Sequence, residues 1–263
     1  MISRLLKIFT GFILIFSAGT EAAAADADMN IYAVWYGKSM FQKKFVFYKD
    51  KSAESVPFSW VFYYIEFGDK KILVDTGFND PKMVKVFGIT DFKDPVAILK
   101  DNGIEADKIT DILITHSHFD HIGNAHRFKN AHIIINKDEL AELNKNKNLV
   151  EVKKYFNGNS KVTVFDQSAV LYDMFTIKKI GGHTKGSSVV FFSNGKDEYC
   201  FTGDEVYQYL NITENTGNGS VADHLKNIEF TALLNKGMYK TFIFHDSKYL
   251  DMKERFTKVF PAE

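Results

Sequence analysis

Three runs between residues 30 and 75 are dominated by Val, Ile, Tyr and Phe: Asn30–Tyr36, Ser59–Phe67 and Lys71–Asp75. They end at turn residues such as Gly37 and the Gly68–Asp69 pair, which predicts strands. Pro95–Lys100 reads as a short helix, with Asp94 placed to cap it and Gly103 just beyond its end. Asp111–Thr115 and His132–Asn136 are short apolar runs of the kind found in buried strands. Lys137–Lys145 returns to a helical pattern, with Leu140 and Leu143 on one side. Strand-like runs follow at Lys161–Phe165, Phe175–Ile180, Ser187–Phe192 and Tyr199–Thr202. Ala222–Leu234 predicts a helix, Thr241–His245 a strand and Met252–Val259 a closing helix. The Asn/Lys-rich stretch at 144–161 reads as a solvated helix and loop. Strands separated by single helices predict a layered α/β protein.

Composition narrows this picture. With 263 residues, four prolines, no repeat and no composition break, one folded domain is expected. Thirty-three basic and 33 acidic residues leave no net charge, which argues against a nucleic-acid partner held by bulk positive charge. Cys200 is the only cysteine, so an intramolecular disulfide and a Cys-rich zinc cluster are both excluded. Burial is the expected state of its thiol. Any metal must be held by histidines and carboxylates.

The N-terminus has a different character. Arg4 and Lys7 precede an apolar run from Ile8 to Ala18, and small residues follow at Ala22–Ala25. This three-part pattern predicts a secretory signal peptide over residues 1–25, and the apolar run is shorter than the roughly 20 residues of a membrane span. The expectation is a mature chain, residues 26–263, that is periplasmic or secreted and keeps no stable membrane insertion after cleavage.

The histidines carry the chemistry. Three of the eight fall in His116-Ser117-His118-Phe119-Asp120-His121, a loop at the end of a predicted strand. Imidazole and carboxylate together suit zinc or iron. His116 and His118 can grip one ion while Asp120 and His121, pointing the other way, grip a second. Further ligands are needed, and His183, Asp204 and His245 each follow a strand-like run near turn residues. His126, His132 and His224 lack that context and read as packing or solvated residues.

The motif Thr115-His116-Ser117-His118-Phe119-Asp120-His121-Ile122-Gly123-Asn124, followed in order by His183, Asp204 and His245, resembles the metallo-β-lactamase superfamily of hydrolases. Ile72-Leu73-Val74-Asp75-Thr76-Gly77 is similar to an early sheet motif of that superfamily. The resemblance covers about residue 30 to 250. It implies a four-layered αββα sandwich with a binuclear site at one edge of two sheets. It places His116, His118 and His183 on one metal, and Asp120, His121 and His245 on the other, with Asp204 bridging. Asp75 resembles the outer carboxylate that braces the ligand loop. Zinc is the implied metal, with iron or manganese as alternatives.

Within the superfamily, the bridging Asp204 points away from the class B β-lactamases and towards lactonases and related hydrolases. Tyr207, three residues beyond it, and the intervals between the ligands resemble the N-acyl-homoserine lactonase branch. Two departures stand out: the usual Pro-Gly-His before the third histidine is Gly181-Gly182-His183 here, and the last Pro-Gly-His is Ile243-Phe244-His245. The implied reaction is attack of a metal-bridging hydroxide on an ester-like carbonyl of a small-molecule substrate, a lactone or an N-acyl-homoserine lactone. Asp120 would hold its metal and accept a hydrogen bond from the hydroxide; Tyr207, if it faces the metals, would donate its hydroxyl. The alternatives are a periplasmic β-lactamase and a non-catalytic binding protein that retains the fold. The aromatic-rich stretch Trp35–Tyr48 reads as sheet packing before it reads as a cover for an apolar substrate group, and Lys185 as a solvated lysine before an anion guide.

Overall fold

Along β1 (Met29–Gln42), successive side chains enter two different cores. Ile31, Ala33 and Trp35 face one apolar layer, while Val34 and Tyr36 face another. The next strand, β2 (Ser55–Phe67), divides in the same way, with Val61, Tyr63 and Ile65 on one side and Trp60, Phe62 and Tyr64 on the other. A strand covered on both faces has no polar side, which is why these segments read as unbroken apolar runs.

The computed structural model describes residues 29–261. After β1 and β2 come β3 (Lys70–Val74), β4 (Asp111–Leu113), β5 (His132–Asn136), β6 (Val162–Phe165) and β7 (Ser168–Leu171). The remaining strands are β8 (Phe175–Lys179), β9 (Ser188–Ser193), β10 (Glu198–Phe201), β11 (Tyr239–Phe242) and β12 (Phe256–Phe260). A seven-stranded sheet has the order β12-β1-β2-β3-β4-β5-β6, and a five-stranded sheet the order β11-β10-β9-β8-β7. Aromatic and branched side chains interlock between the sheets, among them Tyr63, Phe175, Phe192, Phe201, Phe242 and Phe244.

Helices close both outer faces. Pro95–Asp101, Lys137–Lys145 and Val150–Phe156 send Ile98, Leu99, Leu143, Val152 and Phe156 into the core on the larger sheet. His224–Leu234 packs Phe230 and Leu234 against Val189 and Cys200 of the smaller sheet. The result is the αββα sandwich expected. Local signals start the helices where the sequence placed them: the Asp94 carboxylate accepts the Val96 N–H at 3.0 Å, and the Asn136 side chain accepts the Asp138 N–H at 2.9 Å.

Four expectations need correction. Met252–Val259 is not a helix: a 3₁₀ turn at Ser247–Asp251 leads into strand β12. β1 has a free edge whose backbone groups need partners, and β12 pairs antiparallel with it, Phe256 opposite Val34 and Phe260 opposite Ile31. Phe256 then stacks on Tyr32 at 4.5 Å while Phe260 enters the inter-sheet core. The strand expected over Thr241–His245 is shifted, since β11 ends at Phe242 and His245 lies in the loop beyond. The 144–161 stretch is not wholly solvated, because Val152 and Phe156 of its helix are buried. Finally, β1 runs on to Gln42, so half of the aromatic stretch is sheet; Trp35 and Tyr36 are buried in it, whereas Met40 and Phe45 are exposed. The predicted signal peptide lies outside the described residues.

Two parallel pairs fix the position of the site. β3 and β4 run parallel in the larger sheet, and β10 and β11 in the smaller one. The loops leaving their C-terminal ends carry Asp75, His116–His121, Asp204 and His245.

Phe201, fully buried between Tyr63, Phe192 and Phe242, tests the inter-sheet core. Phe201→Ala is expected to lower unfolding free energy by about 3–5 kcal/mol in denaturant titration.

Candidate metal centre

The site is assembled from loops that are short and over-determined. Asp75 follows β3 in the left-handed region, at φ 64°, a conformation that Asp tolerates better than most residues. There its carboxylate accepts the Thr115 N–H at 2.8 Å and the Thr115 hydroxyl at 2.7 Å. Asp75 Oδ2 also lies 2.7 Å from His121 Nδ1. Gly203, at φ 49°, lets Asp204 approach this loop: a Cβ there would lie 2.9 Å from Thr115 Cβ.

These contacts assign the ring protons. His121 Nδ1–H donates to Asp75, and His245 Nδ1–H donates to the Ser59 carbonyl at 2.8 Å. Since the Thr115 hydroxyl donates to Asp75, it accepts from His116 Nδ1–H at 3.1 Å. In their neutral forms all three rings therefore present a bare Nε2 to the interior, an assignment made from the hydrogen-bond network.

The bare atoms converge in two groups. His118 Nδ1 lies 3.0 Å from both His116 Nε2 and His183 Nε2, and Asp204 Oδ2 is 3.5 Å from each of those Nε2 atoms. On the other side, His121 Nε2 and His245 Nε2 are each 3.1 Å from Asp204 Oδ1, and 3.3 and 3.5 Å from Asp120 Oδ2. In each of the sets His116, His118, His183, Asp204 and Asp120, His121, Asp204, His245 the ligand atoms lie within 4.8 Å of one another. Every expected ligand is therefore in one of two clusters, and Asp204 belongs to both.

The donor set fits divalent cations. His121 Nε2 and Asp204 Oδ1 are buried, carry lone pairs that face each other, and have no hydrogen-bond partner. Such a contact is unfavourable unless a cation or a proton lies between the two atoms. Without metal the electrostatics are polarised accordingly. Burial pushes His183 down to about 3 and His116 well below the usual imidazole value. Burial acts on His121 in the same direction, but the Asp204, Asp120 and Asp75 carboxylates outweigh it and hold that ring well above its ordinary value. Nitrogen and oxygen ligands of this kind suit zinc, iron or manganese.

Tyr207 faces the centre. Its ring centroid is 5.7 Å from those of both His183 and His245, so it touches one histidine of each cluster. Burial first, then the Asp204 and Asp120 charges, hold its phenol well above the ordinary value, so it stays a hydrogen-bond donor at neutral pH. The other histidines stay apart. His132 bonds Thr163 at 2.8 Å, His224 packs on Tyr48 at 4.3 Å, and His126 sits half-buried on a 3₁₀ turn.

Two buried glutamates escaped the sequence reading. Glu205 Oε1 accepts the Gly182 and His183 N–H groups at 2.9 and 3.1 Å and the Ser187 hydroxyl at 2.5 Å. Glu139, on the helix after β5, reaches Ser117 as well as Thr184 and Gly186. Two adjacent acids after an apolar strand, Asp204-Glu205, were a usable signal for the first; spacing carries none for the second. The backbone of the loop explains why Gly181 replaces the proline of Pro-Gly-His and why Gly182 stays a glycine. Gly181 sits at φ 76°, closed to proline, and a Cβ on Gly182 would meet Glu205 Oε2 at 2.4 Å.

A cavity of about 530 Å³ opens beside the three-histidine cluster, with Ser117, His118, His183 and Thr184 in its wall. Lys185, also in the wall, is exposed and pairs with Asp138 at 3.0 Å. On the other flank, Phe58 stacks on His245 at 4.2 Å and Phe41 stacks on Phe58 at 4.7 Å.

The model of the metallo-beta-lactamase superfamily matches residues 58–237. No curated protein matches the sequence. Among solved structures, a probable metal-dependent hydrolase from Staphylococcus aureus is 18% identical with a TM-score of 0.69, over 83% of this chain and 90% of that one. A mutant of AiiA from B. thuringiensis, with N-decanoyl-L-homoserine bound at its active site, is 21% identical with a TM-score of 0.71, over 89% and 98%. AidC, a dizinc quorum-quenching lactonase, is 18% identical with a TM-score of 0.65, over 90% and 95%. At these identities the likeness is one of fold.

Removing Asp75 frees His121 and His116 to rotate without touching any ligand atom. Asp75→Ala is expected to weaken zinc binding by roughly 10–100-fold, read by competition with a chromophoric chelator.

Proposed function

The chain belongs to the metallo-β-lactamase superfamily, and on that premise we propose that it is a binuclear metal-dependent hydrolase that opens an ester-like carbonyl, a lactone in particular. The observation that carries this reading is the sharing of Asp204 between two four-ligand clusters, with Tyr207 lying across both. In it, His116, His118 and His183 hold one cation, Asp120, His121 and His245 the other, and Asp204 both. Cations so held supply a lowered pKa for water and polarisation of a carbonyl oxygen.

The chain's own groups do the rest. Asp120 turns Oδ2 towards His121 and His245, which leaves Oδ1 to take a proton from the attacking water. Tyr207 donates its O–H to the carbonyl oxygen as that atom gains charge. Phe58, buried against the His245 ring, keeps water from that flank, and the partly exposed Phe41 with its exposed neighbour Phe45 offers an apolar wall to an acyl or other hydrocarbon group. The cavity on the opposite flank has the volume of an ordinary small-molecule site, about 300–1,000 Å³. N-acyl-homoserine lactones, with a lactone ring and an apolar tail, match this pairing of metal centre and aromatic wall. Export to the periplasm or beyond belongs to the same reading and rests on residues 1–25.

The test is metal content of the purified mature protein, followed by lactone and nitrocefin hydrolysis on the same sample. Two divalent ions per chain, lactone turnover abolished by chelation and inert nitrocefin are the expected results. Nitrocefin turnover without lactone turnover selects a β-lactamase, and a zinc-loaded protein inert towards esters, lactones and lactams selects a binding protein. His118→Ala is expected to lose metal and turnover together. Tyr207→Phe should keep both metals and lose roughly 100-fold in kcat; full activity of that variant would remove the tyrosine from the mechanism.

A further inference from the structure

Glu139 is buried, stands outside both ligand sets, and spends each carboxylate oxygen on a different ligand loop. Oε2 accepts the N–H and the hydroxyl of Ser117, both at 2.7 Å. Ser117 is the residue between His116 and His118. Oε1 accepts the Thr184 hydroxyl at 2.5 Å and the Gly186 N–H at 2.9 Å. Thr184 directly follows His183. The sequence separations, 22 and 45–47 residues, make this a side-chain join between two loops that are otherwise remote in the chain, alongside the backbone bond from the Ser188 N–H to the Thr115 carbonyl at 2.9 Å.

We propose that Glu139 is the positioning residue of the three-histidine site: one carboxylate sets the distance between the His116–His118 loop and the His183 loop, and so the size of the opening that accepts a cation. The proposal rests on the metal reading above. The second cluster is braced by other groups, His121 by Asp75 and His245 by the Ser59 carbonyl. The effect of Glu139 is therefore confined to one of the two sites. Glu205 does not duplicate this role, since its bonds in this region hold only the Gly182–Ser187 loop.

The isosteric amide is a sharp probe. Two of the four donors are backbone N–H groups, Ser117 on one side and Gly186 on the other, and a backbone N–H cannot turn round to accept. A glutamine can satisfy one loop only, and must point its NH₂ at the N–H of the other. An unmet buried N–H is released by moving the loop.

The experiment titrates zinc into the metal-free mature protein by calorimetry, for wild type and Glu139→Gln, with cadmium NMR to tell the three-histidine site from the two-histidine site. Two binding events are expected in the wild type. In Glu139→Gln the three-histidine event weakens by roughly 10–100-fold and its cadmium signal shifts, while the other event and signal stay put. Equal weakening at both sites, or unchanged affinity at the first, overturns the proposal. Should Glu139→Gln fail to fold, Thr184→Val and Ser117→Ala each remove one of the four bonds and are expected to weaken the same event several-fold; unchanged affinity in both is equally fatal. A folded wild type that takes up no cation fails earlier in the experiment, and sinks the metal reading itself.

Discussion

Mutual repulsion among buried lone pairs is the constraint on which the rest of the molecule depends. Five imidazole nitrogens and the carboxylates of Asp120 and Asp204 are aimed at two points a few ångströms apart, and all of these residues but the exposed His118 are buried. Left alone, such groups would rotate away from one another or take up protons. What holds them is a surrounding layer of acceptors that fixes the far side of each ring or loop: Asp75 beneath His121 and Thr115, the Ser59 carbonyl beneath His245, and Glu139 and Glu205 beneath the loops of His118 and His183. Each carboxylate is itself satisfied by donors from the chain, so the layer is stable as a unit.

That layer needs a rigid platform, and the sandwich supplies one. The central strands of the larger sheet are buried on both faces, and they cannot shift register without carrying side chains from one core into the other. Parallel pairs in each sheet then deliver loops to a common edge with little freedom left in them. The left-handed backbone at Asp75 is an uncommon conformation for a residue with a side chain, held by this frame and of the kind that clusters at functional sites, while Gly181 and Gly203 take the same region without strain.

Legibility in the sequence follows from how local each signal is. The ligands were readable because His116, His118, Asp120 and His121 are neighbours in the chain and because each later ligand follows an apolar strand. The helix at Pro95 was readable from its Asp94 cap, and the one at Lys137 from Leu140 and Leu143 on one side. β12 was misread because its partner, β1, is more than two hundred residues away, and only the open edge of that strand decides between helix and strand. Glu139 was missed for the same reason: on a polar helix an acid looks solvated, and its burial is set by Ser117 and Thr184 from remote loops. The sequence showed Gly181 replacing a proline but not why; the positive φ supplies the reason.

Cys200 lies at the seam between the smaller sheet and the helix His224–Leu234, fully enclosed, with burial holding its thiol well above the ordinary value. As the only cysteine in the chain, it makes the molecule its own stopwatch. A thiol reagent can modify only those copies in which the helix has parted from the sheet, and the rate of labelling becomes a count of how often that seam opens. In an oxidising compartment the same arithmetic sets how rarely two chains can become covalently joined.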